Sequence, residues 1–479
     1  MTDTSCAFSP LLPGQELTLR VASLASDGRG VARSNGLAVF MERALPGQLV
    51  RARLLTLRKR LAEALVEEVL EPSPDERPAP CPHAAVCGGC PWQTLPYDRQ
   101  LFWKQRVVED ALTRLGHIAN PPVLPILPSP ETWGYRNKMA FAFGTGTQGN
   151  VTLGQRGRRS HAVVDLHACL MQTPATMQLL EAMRQFAQKT RLPAYDSALR
   201  TGFWRAFVVR RNRDGKYLAE CLVAPHPCGR QSAVRLGPPL ADALTAACPA
   251  LTGVVLSLRS SPADITQGEK TLFQTGDGTL CETLHRPPDV FGPTPPLALR
   301  FDHRSFFQVN TLAAECLYGE AARQLTAVRA SCLLDLYCGV GGIGLFLAPL
   351  ADSVLGVEET PAAVALAIEN ARHAAFAHCR FEAADAAQAF ASLRPQNRQA
   401  ETVVVVDPPR AGLSKQVCEG ILQLRPRRLA YISCNPATLA RDAQRLAPDY
   451  VLKSARPVDL FPQTQHVECA SLFTLREPA

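Results

Sequence analysis

Residues 332–344 read CLLDLYCGVGGIG, and this stretch decides how the C-terminal part of the chain folds. Its apolar beginning predicts a buried strand, its glycines predict a tight turn, and the residues that follow predict a helix. Glu358 ends the next apolar run. Glycines let a backbone approach a nucleotide closely, and an acid at the second strand end can bind ribose hydroxyls. The pattern indicates a nucleotide-binding turn, which suits either a nicotinamide dinucleotide or S-adenosylmethionine.

Strands and helices alternate along the rest of this region. Further apolar runs predict buried parallel strands at 354–358, 402–407 and 429–433. A helical pattern at 362–375 separates the first two of these runs. The expected fold over 301–479 is therefore an open, Rossmann-like α/β sheet.

Three reactive side chains are expected at one edge of that sheet. Asp407 ends one strand and Cys434 follows another, and ligands of such sheets bind beyond the carboxyl ends of the strands. A last strand over 469–475, if it runs antiparallel, brings Glu468 opposite Cys434. A thiol nucleophile and a carboxylate base in one cleft suit addition to an activated ring and proton removal. The two acids could instead be capping or solvated residues.

Cys434 lies immediately before a predicted helix. Pro436 suits the first helical position, and Asn435 can cap the free N–H groups of that turn. The positive end of the helix favours thiolate over thiol, which predicts a nucleophile. The alternative is a buried cysteine that packs as a small apolar residue.

The chain of 479 residues is long enough for about three domains, and proline-rich segments at 71–80, 120–130 and 285–296 divide it. Short β-type runs predict a small all-β barrel over 12–72, at 17–21, 30–32, 37–41, 48–57 and 62–69. Residues 73–300 predict a mixed α+β domain. Its helix at 97–116 is expected to pack on the domain that follows.

Basic residues are in modest excess, with 51 Lys and Arg against 43 Asp and Glu and a formal net charge of +8. Six basic residues and no acid occur over 43–60. A second segment alternates cations with aromatic residues, namely Arg200, Phe203, Trp204, Arg205, Phe207, Arg210, Arg211, Arg213, Lys216 and Tyr217. This pattern suits RNA phosphates and stacked bases, or else a strand with one solvated face.

Cysteines are numerous, sixteen in all, but the start Met1-Thr2-Asp3-Thr4-Ser5 shows no secretion signal. The longest uncharged apolar stretch, 336–351, is too short for a membrane helix. We therefore expect a cytoplasmic protein without a membrane partner, in which clustered cysteines indicate metal binding or catalysis. Cys81, Cys87 and Cys90, with Cys169 as a fourth ligand, suit zinc or an iron–sulfur cluster, while His83 is expected to be a loop residue.

Five motifs together resemble the RNA 5-methyluridine methyltransferase family: FFQVN at 306–310, DLYCG at 335–339, DPPRAG at 407–412, SCNP at 433–436 and HVE at 466–468. The resemblance implies Cys434 as the nucleophile and Glu468 as the general base. It implies contacts to S-adenosylmethionine from Gln308, Tyr337, Glu358, Asp385 and Asp407, with Glu358 on the ribose. Some relatives carry a polar residue where this chain has Gly342, so only its backbone is expected to serve the cofactor.

The resemblance extends to the other two domains. The N-terminal barrel resembles the family's RNA-binding TRAM domain. Cys81, Cys87, Cys90 and Cys169 resemble the [4Fe-4S] site of the branch that acts on 23S ribosomal RNA, which the transfer-RNA branch lacks. The implied function is methylation of carbon 5 of a uridine in 23S ribosomal RNA, flipped out of its stack, by a monomer without an obligate protein partner.

Four alternatives remain open at this level. The nearest is a transfer-RNA enzyme of the same family, which the four cysteines disfavour. An amino-methyltransferase is suggested by Asp407-Pro408-Pro409, although that chemistry needs no thiol. A nicotinamide oxidoreductase and a non-catalytic iron–sulfur RNA-binding protein are the other two, and neither explains Cys434 together with Glu468.

Overall fold

A computed structural model describes residues 11–476 except 60, 159, 264–265, 327–328 and 393–400. Met1–Ser5 and Arg60, which the sequence interpretation used, lie outside the described residues. Within the described residues, three sheets of six or seven strands and one two-stranded sheet organise the fold. None of the helices described is long and apolar enough to cross a membrane.

The N-terminal unit is all-β. Its strands are β1 (Glu16–Arg20), β2 (Ser23–Leu24), β3 (Gly30–Ser34), β4 (Leu37–Met41), β5 (Leu49–Leu57) and β6 (Leu61–Glu71), in the sheet order β1-β5-β6-β4-β3-β2. Alternate residues of β5 (Val50, Ala52 and Leu54) are buried, as the two-residue period of a strand requires. The Ala22 N–H donates to the Val31 carbonyl oxygen at 2.8 Å, so the connection between β1 and β2 also contacts β3. A TRAM-type barrel stays a prediction.

The described part of the basic run, residues 43–59, does not form a uniformly basic surface. Arg51 and Arg53 of β5 form ion pairs with Glu68 and Glu67 of β6, the adjacent strand. The sequence count of six cations without an acid overlooks this pairing, because the acids follow the run in the chain and lie beside it in the sheet.

The central unit contains α1 (Tyr97–Arg114) and a seven-stranded sheet. Its strands, in the order β13-β12-β11-β10-β7-β8-β9, are β7 (Lys138–Thr145), β8 (Val151–Arg156), β9 (Val163–Asp165), β10 (Trp204–Arg211), β11 (Tyr217–Val223), β12 (Leu251–Leu258) and β13 (Lys270–Gln274). Helices α2 (Pro174–Thr190) and α4 (Gly237–Ala247) pack on one face, with the short α3 (Arg230–Arg235) beside them. The opposite face carries small residues that include Ala140 and Ala206.

The alternation of cations and aromatic residues is not a base-stacking surface. Phe203, Trp204, Phe207 and Tyr217 are at most 5% exposed and belong to the core between the sheet and its helices. A strand buried on both faces produces the same pattern, because its cations can bond to backbone carbonyl oxygens. Arg210, for example, donates to the His303 oxygen at 3.2 Å.

The C-terminal unit is an α/β sheet in the order β18-β17-β16-β19-β20-β22-β21. Its strands are β16 (Cys332–Leu336), β17 (Val354–Glu358), β18 (Cys379–Ala383), β19 (Thr402–Val406), β20 (Arg428–Ser433), β21 (Tyr450–Val458) and β22 (Glu468–Leu475). The strands β16 to β20 are parallel, and β22 is antiparallel to β20. The predicted α/β sheet is confirmed, including its antiparallel last strand.

Helices cover both faces of this sheet. They are α6 (Thr311–Leu325), α7 (Gly342–Leu347), α8 (Pro361–His373), α9 (Ala386–Ser392), α10 (Lys415–Leu424) and α11 (Pro436–Leu446), with a 3₁₀ turn at Ala348–Leu350. Successive residues of β19, such as Val403 and Val404, point to opposite faces of the sheet and enter two different hydrophobic cores. This burial on both faces explains the uninterrupted apolar runs in the sequence.

Two further elements pack on the α/β unit. The hairpin of β14 (Thr279–Leu284) and β15 (Leu297–Asp302), with α5 (Pro288–Phe291) in its connection, contributes Leu284 and Phe301 to the α/β core. The domain boundary that the sequence predicts at residue 300 therefore falls within β15. Helix α1 packs on α11, with Val108 and Leu112 in one core with Leu439.

Candidate active site

Cys434 follows β20 and lies two residues before α11 begins at Pro436. Asn435 caps that helix, since its Oδ1 accepts a hydrogen bond from the Ala437 N–H at 3.1 Å. The thiol is half-buried and lines a cavity of about 320 Å³ with Arg410 and His466. It is therefore accessible from a cleft at the carboxyl end of the sheet.

Burial and the nearby charges of Glu468 and Asp407 raise the pKa of Cys434 to about 12, and the Arg410 guanidinium opposes this rise. The expectation that the helix start would favour the thiolate is therefore wrong for the protein without ligands. A helix end supplies only about half a positive charge, whereas two carboxylates and a partly desolvated site act against ionisation.

Glu468 is the first residue of β22 and faces Cys434. Ser433 pairs with Cys469 in the antiparallel register of β20 and β22, so the next residue on each side, Cys434 and Glu468, meet at the strand ends. Glu468 is 3% exposed, and its Oε2 has no hydrogen-bond partner among the described residues. Burial and Asp407 raise the pKa of Glu468 well above its usual range, with Arg410 opposing.

Asp407 follows β19 and contacts Gln308. The Gln308 Nε2 donates to Asp407 Oδ2 at 3.4 Å, while burial raises the pKa of Asp407 to about 7. Gln308 is itself fixed, because its carbonyl oxygen accepts a hydrogen bond from Asn137 Nδ2 at 2.8 Å. The loop after β15 thus brings a neutral amide against the acid at the centre of the sheet edge.

The glycine turn between β16 and α7 is built around two acids. Glu358 accepts hydrogen bonds from the Gly339 N–H at 3.2 Å and the Thr360 N–H at 2.9 Å. Asp335 Oδ2 accepts one from the Gly344 N–H at 2.8 Å, and a Cβ at Gly344 would approach that oxygen to 2.7 Å. Glycine is therefore required at position 344.

Position 342 is different from position 344. A Cβ at Gly342 would have the Tyr318 hydroxyl oxygen 3.7 Å away, which is an ordinary contact. A side chain would therefore fit here, and the glycine leaves the backbone of this turn open.

Tyr337 and Asp385 complete this edge. Tyr337 has a φ of +67°, and burial together with the charge of Asp385 raises its pKa to about 12. Asp385 is exposed after β18, and its Oδ1 accepts a hydrogen bond from the Ala387 N–H at 2.8 Å. The residues implied for the cofactor thus lie at the carboxyl ends of β16, β17, β18 and β19, at one edge of the sheet, with Gln308 against Asp407.

The four cysteines singled out in the sequence lie together. Cys81, Cys87, Cys90 and Cys169 line one cavity of about 70 Å³ beside the central sheet. Burial and the neighbouring thiols raise the pKa of Cys90 to about 12 and that of Cys169 to about 11. Within the described part of the chain, no group of three or more His, Cys, Asp or Glu side chains is arranged to hold a metal ion.

A groove leads away from the Cys434 cavity. Asp27 and Gln465 line both that cavity and a neighbouring one of about 590 Å³, which lies between the N-terminal strands, the cysteine loop and the central sheet. Arg43 and Arg158 line the larger cavity and donate to backbone oxygens, Arg43 to Ala85 at 3.0 Å and Arg158 to Cys87 at 3.2 Å. Burial and then the charge of Arg43 lower the pKa of Arg158, so two cations lie close together here.

A model of the tRNA (uracil-5-)-methyltransferase family matches residues 296–476. An RNA methyltransferase of Nitratidesulfovibrio vulgaris is 43% identical over 468 residues, which cover 97% of each chain. The chain belongs to the RNA uracil-5-methyltransferase family. An RNA methyltransferase of Halalkalibacterium halodurans is 32% identical, over 98% of this chain and 99% of the relative.

A solved structure shares the fold of this RNA uracil-5-methyltransferase family member. The tRNA (uracil-54, C5)-methyltransferase of Pyrococcus abyssi, in complex with S-adenosyl-L-homocysteine, has a TM-score of 0.74 and 24% identity, over 96% of this chain and 100% of that one. Family membership selects S-adenosylmethionine over a nicotinamide dinucleotide for the glycine turn.

Sequence reasoning assigned no role to Tyr318 or Arg410. Tyr318 of α6 is buried, is hydrogen-bonded with Gln308 and lies beside Gly342 in this methyltransferase. Arg410 acts electrostatically on both Cys434 and Glu468. The position of Arg410 in the motif that begins at Asp407 could have predicted a role in the site. Tyr318 carries no such signal, because its sequence position is that of an ordinary residue on the buried face of a helix.

Proposed function

We propose that this protein transfers a methyl group from S-adenosylmethionine to carbon 5 of a uridine in 23S ribosomal RNA, through a covalent adduct with Cys434. The observation that carries the proposal is the meeting of Cys434 and Glu468 at the ends of β20 and β22. A nucleophile and a base on opposite sides of one cleft are what this substitution needs.

This chain supplies the nucleophile and the base of the reaction. Carbon 5 of uracil is a weak nucleophile, so the Cys434 sulfur adds to carbon 6 and the ring electrons move to form an enolate. Carbon 5 then takes the methyl group from the sulfonium sulfur of S-adenosylmethionine, whose S–CH3 bond breaks so that S-adenosylhomocysteine is left. Glu468 removes the proton from carbon 5, the ring double bond forms again, and the sulfur leaves carbon 6.

The charge of the methyl donor helps to explain how a thiol with a raised pKa can react. The acids around the cleft disfavour the Cys434 thiolate, and Arg410 only partly compensates. A positive sulfonium bound among these acids lowers the pKa of the thiol and of the carboxyls, because opposite charges favour the ionised forms. We therefore assign thiolate formation to the complex rather than to the free protein.

The edge of the sheet provides the contacts for the donor. We assign Glu358 to the ribose of the methyl donor. Its carboxylate accepts hydrogen bonds from two backbone N–H groups and keeps further lone pairs for hydroxyl donors. Gln308, Tyr337, Asp385, Asp407 and the backbone of Gly342 complete the set. Position 342 offers room beside Tyr318 and no side chain of its own.

The resemblance of the four cysteines to the site of the 23S ribosomal RNA branch supports a [4Fe-4S] cluster, whereas their spacing alone also suits zinc. A zinc ion needs all four sulfurs within about 2.3 Å of one centre, whereas in a four-iron cluster each thiolate binds its own iron. The four thiols line one cavity. Cys81, Cys87, Cys90 and Cys169 would hold the cluster, which gives the loop structure and need not take part in methyl transfer.

Iron and acid-labile sulfide analysis with an optical spectrum tests this cluster. Cys169→Ser should lose the iron and the absorbance, while Cys228→Ser, at an exposed cysteine away from the cavity, should keep both. Stoichiometric zinc without iron in the wild-type protein would overturn the assignment.

Transfer RNA is the second candidate substrate, because the family model and the structural neighbour both carry that name. The four-cysteine pattern favours ribosomal RNA. Mapping of methylated uridines in both RNAs from a deletion strain decides between them. We expect one or more 5-methyluridines to disappear from 23S ribosomal RNA, and loss confined to transfer RNA would refute the assignment of substrate.

A further inference from the structure

An outer cavity on the central unit has no part in the chemistry described above. Its volume is about 490 Å³, and Tyr195, Arg205 and Arg156 are among its lining residues. Ala142, Arg156 and Arg205 also line the 590 Å³ cavity, so the outer cavity continues the groove that begins at Cys434.

The ring of Tyr195 is held in place from one side. The Arg205 guanidinium lies over it, 4.2 Å from the ring centroid. Arg205 is itself fixed to a neighbouring loop, since Nη1 donates to the Ser261 oxygen at 2.7 Å and Nη2 to the Ala263 oxygen at 3.0 Å. The aromatic surface is therefore pre-organised before any ligand binds, which reduces the entropy lost on binding.

The backbone beneath Tyr195 is also specified. The Tyr195 N–H donates to the Trp204 carbonyl oxygen at 2.8 Å, and Ala194 forms a bridge with Trp204. Gly202 permits this close approach, because it has a φ of +107° and a Cβ there would lie 2.1 Å from the Ala194 oxygen.

Resting on the proposed function, we propose that the outer cavity binds a nucleotide of the substrate RNA distant from the target uridine, with its base stacked on Tyr195 and the adjoining phosphates near Arg156 and Arg205. Stacking on aromatic side chains needs unpaired bases, so the occupant is single-stranded RNA. The guanidinium groups along the groove, which include Arg43 and Arg158, can contact the negatively charged phosphates of the RNA backbone.

The experiment compares two lengths of RNA and two substitutions. Labelled single-stranded oligouridylates of about 5 and about 15 nucleotides are titrated with wild-type protein, Tyr195→Ala and Tyr195→Phe, and we expect only the longer one to occupy both the Cys434 cavity and the outer cavity. For the longer RNA, Tyr195→Ala should weaken binding about tenfold, the effect of one lost stacking contact, while Tyr195→Phe keeps the ring and the affinity.

The shorter RNA provides the decisive control. Its affinity should be the same for wild type and Tyr195→Ala. An equal loss for both lengths, or none for the longer one, would overturn the outer site. Failure of the proposed function would look different, because the wild-type protein would then methylate no RNA while the length dependence of binding could still be measured.

Discussion

The residues around Cys434 raise the pKa of its thiol. Glu468 and Asp407 place two acids beside a partly desolvated thiol, and the helix start that follows is too weak to compensate. Arg410 is the one positive charge that acts on both Cys434 and Glu468 in the part of the chain described. The reactivity of this cysteine therefore depends on charges brought by bound substrates.

Alkylation of Cys434 by iodoacetamide in the free protein tests this electrostatic balance. Because the pKa is raised to about 12, the rate should be low near neutrality and rise about tenfold for each pH unit, as the thiolate fraction does. Arg410→Gln should slow the reaction further. The rate is measured on the Cys434 peptide by mass spectrometry.

Arg329→Gln is the matched control, since Arg329 is an exposed arginine paired with Asp352. It should leave the alkylation rate of Cys434 unchanged. A rate that is independent of pH, or faster in Arg410→Gln, would contradict the role of the surrounding charges.

The pKa of Asp335 is also raised, and this carboxyl is fully buried. Burial, Asp407 and Glu358 raise its pKa to about 8, against the opposing Gly344 N–H, and its Oδ1 has no partner among the described residues. The folded state therefore keeps a proton that the unfolded chain loses near pH 4. The stability that this group contributes is present below about pH 4 and is lost as the pH rises to about 8.

Asp335→Asn should make the free energy of unfolding fall less steeply over that pH range, because it removes the titrating carboxyl. Urea unfolding at several pH values measures the slope. Asp352→Asn, at an exposed acid, serves as the control and should keep the wild-type slope. A slope unchanged by Asp335→Asn would refute the raised pKa.

At the scale of elements, α1 holds the loop that leads to Glu468. Lys104 is fully buried and donates to Asp459 Oδ1 at 2.6 Å and to the Phe461 oxygen at 3.0 Å. Gln100 exchanges two hydrogen bonds with Gln463, which has a φ of +69°. These contacts fix residues 459–463 just before β22.

Lys104→Ala should destabilise the protein by about 3–5 kcal/mol, since it leaves Asp459 buried without its counter-charge. The rate of methyl transfer should fall with it. The double variant Lys104→Met/Asp459→Asn should recover much of the stability, because it removes both charges and keeps the acceptor for the Phe461 N–H. Urea unfolding is the measurement.

Arg106→Ala on the same helix breaks a more exposed pair with Glu109 and should cost less than about 1 kcal/mol. An equal loss of stability in Lys104→Ala and in the double variant Lys104→Met/Asp459→Asn would contradict the importance of the buried ion pair.

The central strands of the α/β sheet are predictable from sequence and its edges are not. β16, β17, β19 and β20 are buried on both faces and carry continuous apolar runs. β18 and β21 lie at the two edges of the sheet, where exposed residues interrupt the pattern. The pairing of Cys434 with Glu468 followed from strand direction alone, whereas Tyr318 needed the packing of α6.

At the scale of the whole molecule, the groove from Cys434 crosses all three units. Sequence composition located the cations but could not separate those in the groove from those paired elsewhere. Arg43 lines the groove, whereas Arg51 forms an ion pair with Glu68 on the adjacent strand. Tyr195, an aromatic residue that lines the outer cavity, lies outside the segment 200–217 whose cations and aromatic residues suggested base stacking.

The dependence of RNA affinity on salt should distinguish these two arginines. A plot of log Kd against log salt concentration becomes less steep by about 0.7 for each lost contact with a single-stranded phosphate. Arg43→Ala should show this change and bind RNA more weakly, while Arg51→Ala should match wild type. The same slope for all three proteins would remove Arg43 from the RNA path.

The covalent step is the central claim, and RNA that carries 5-fluorouridine tests it most directly. Fluorine at carbon 5 leaves Glu468 no proton to remove, so the methylated adduct cannot break down. The wild-type protein and Glu468→Gln should both form a complex with this RNA that survives denaturing electrophoresis, and Cys434→Ala should form none. With ordinary uridine, only Glu468→Gln should accumulate the complex. A denaturation-resistant complex formed by Cys434→Ala would contradict the account.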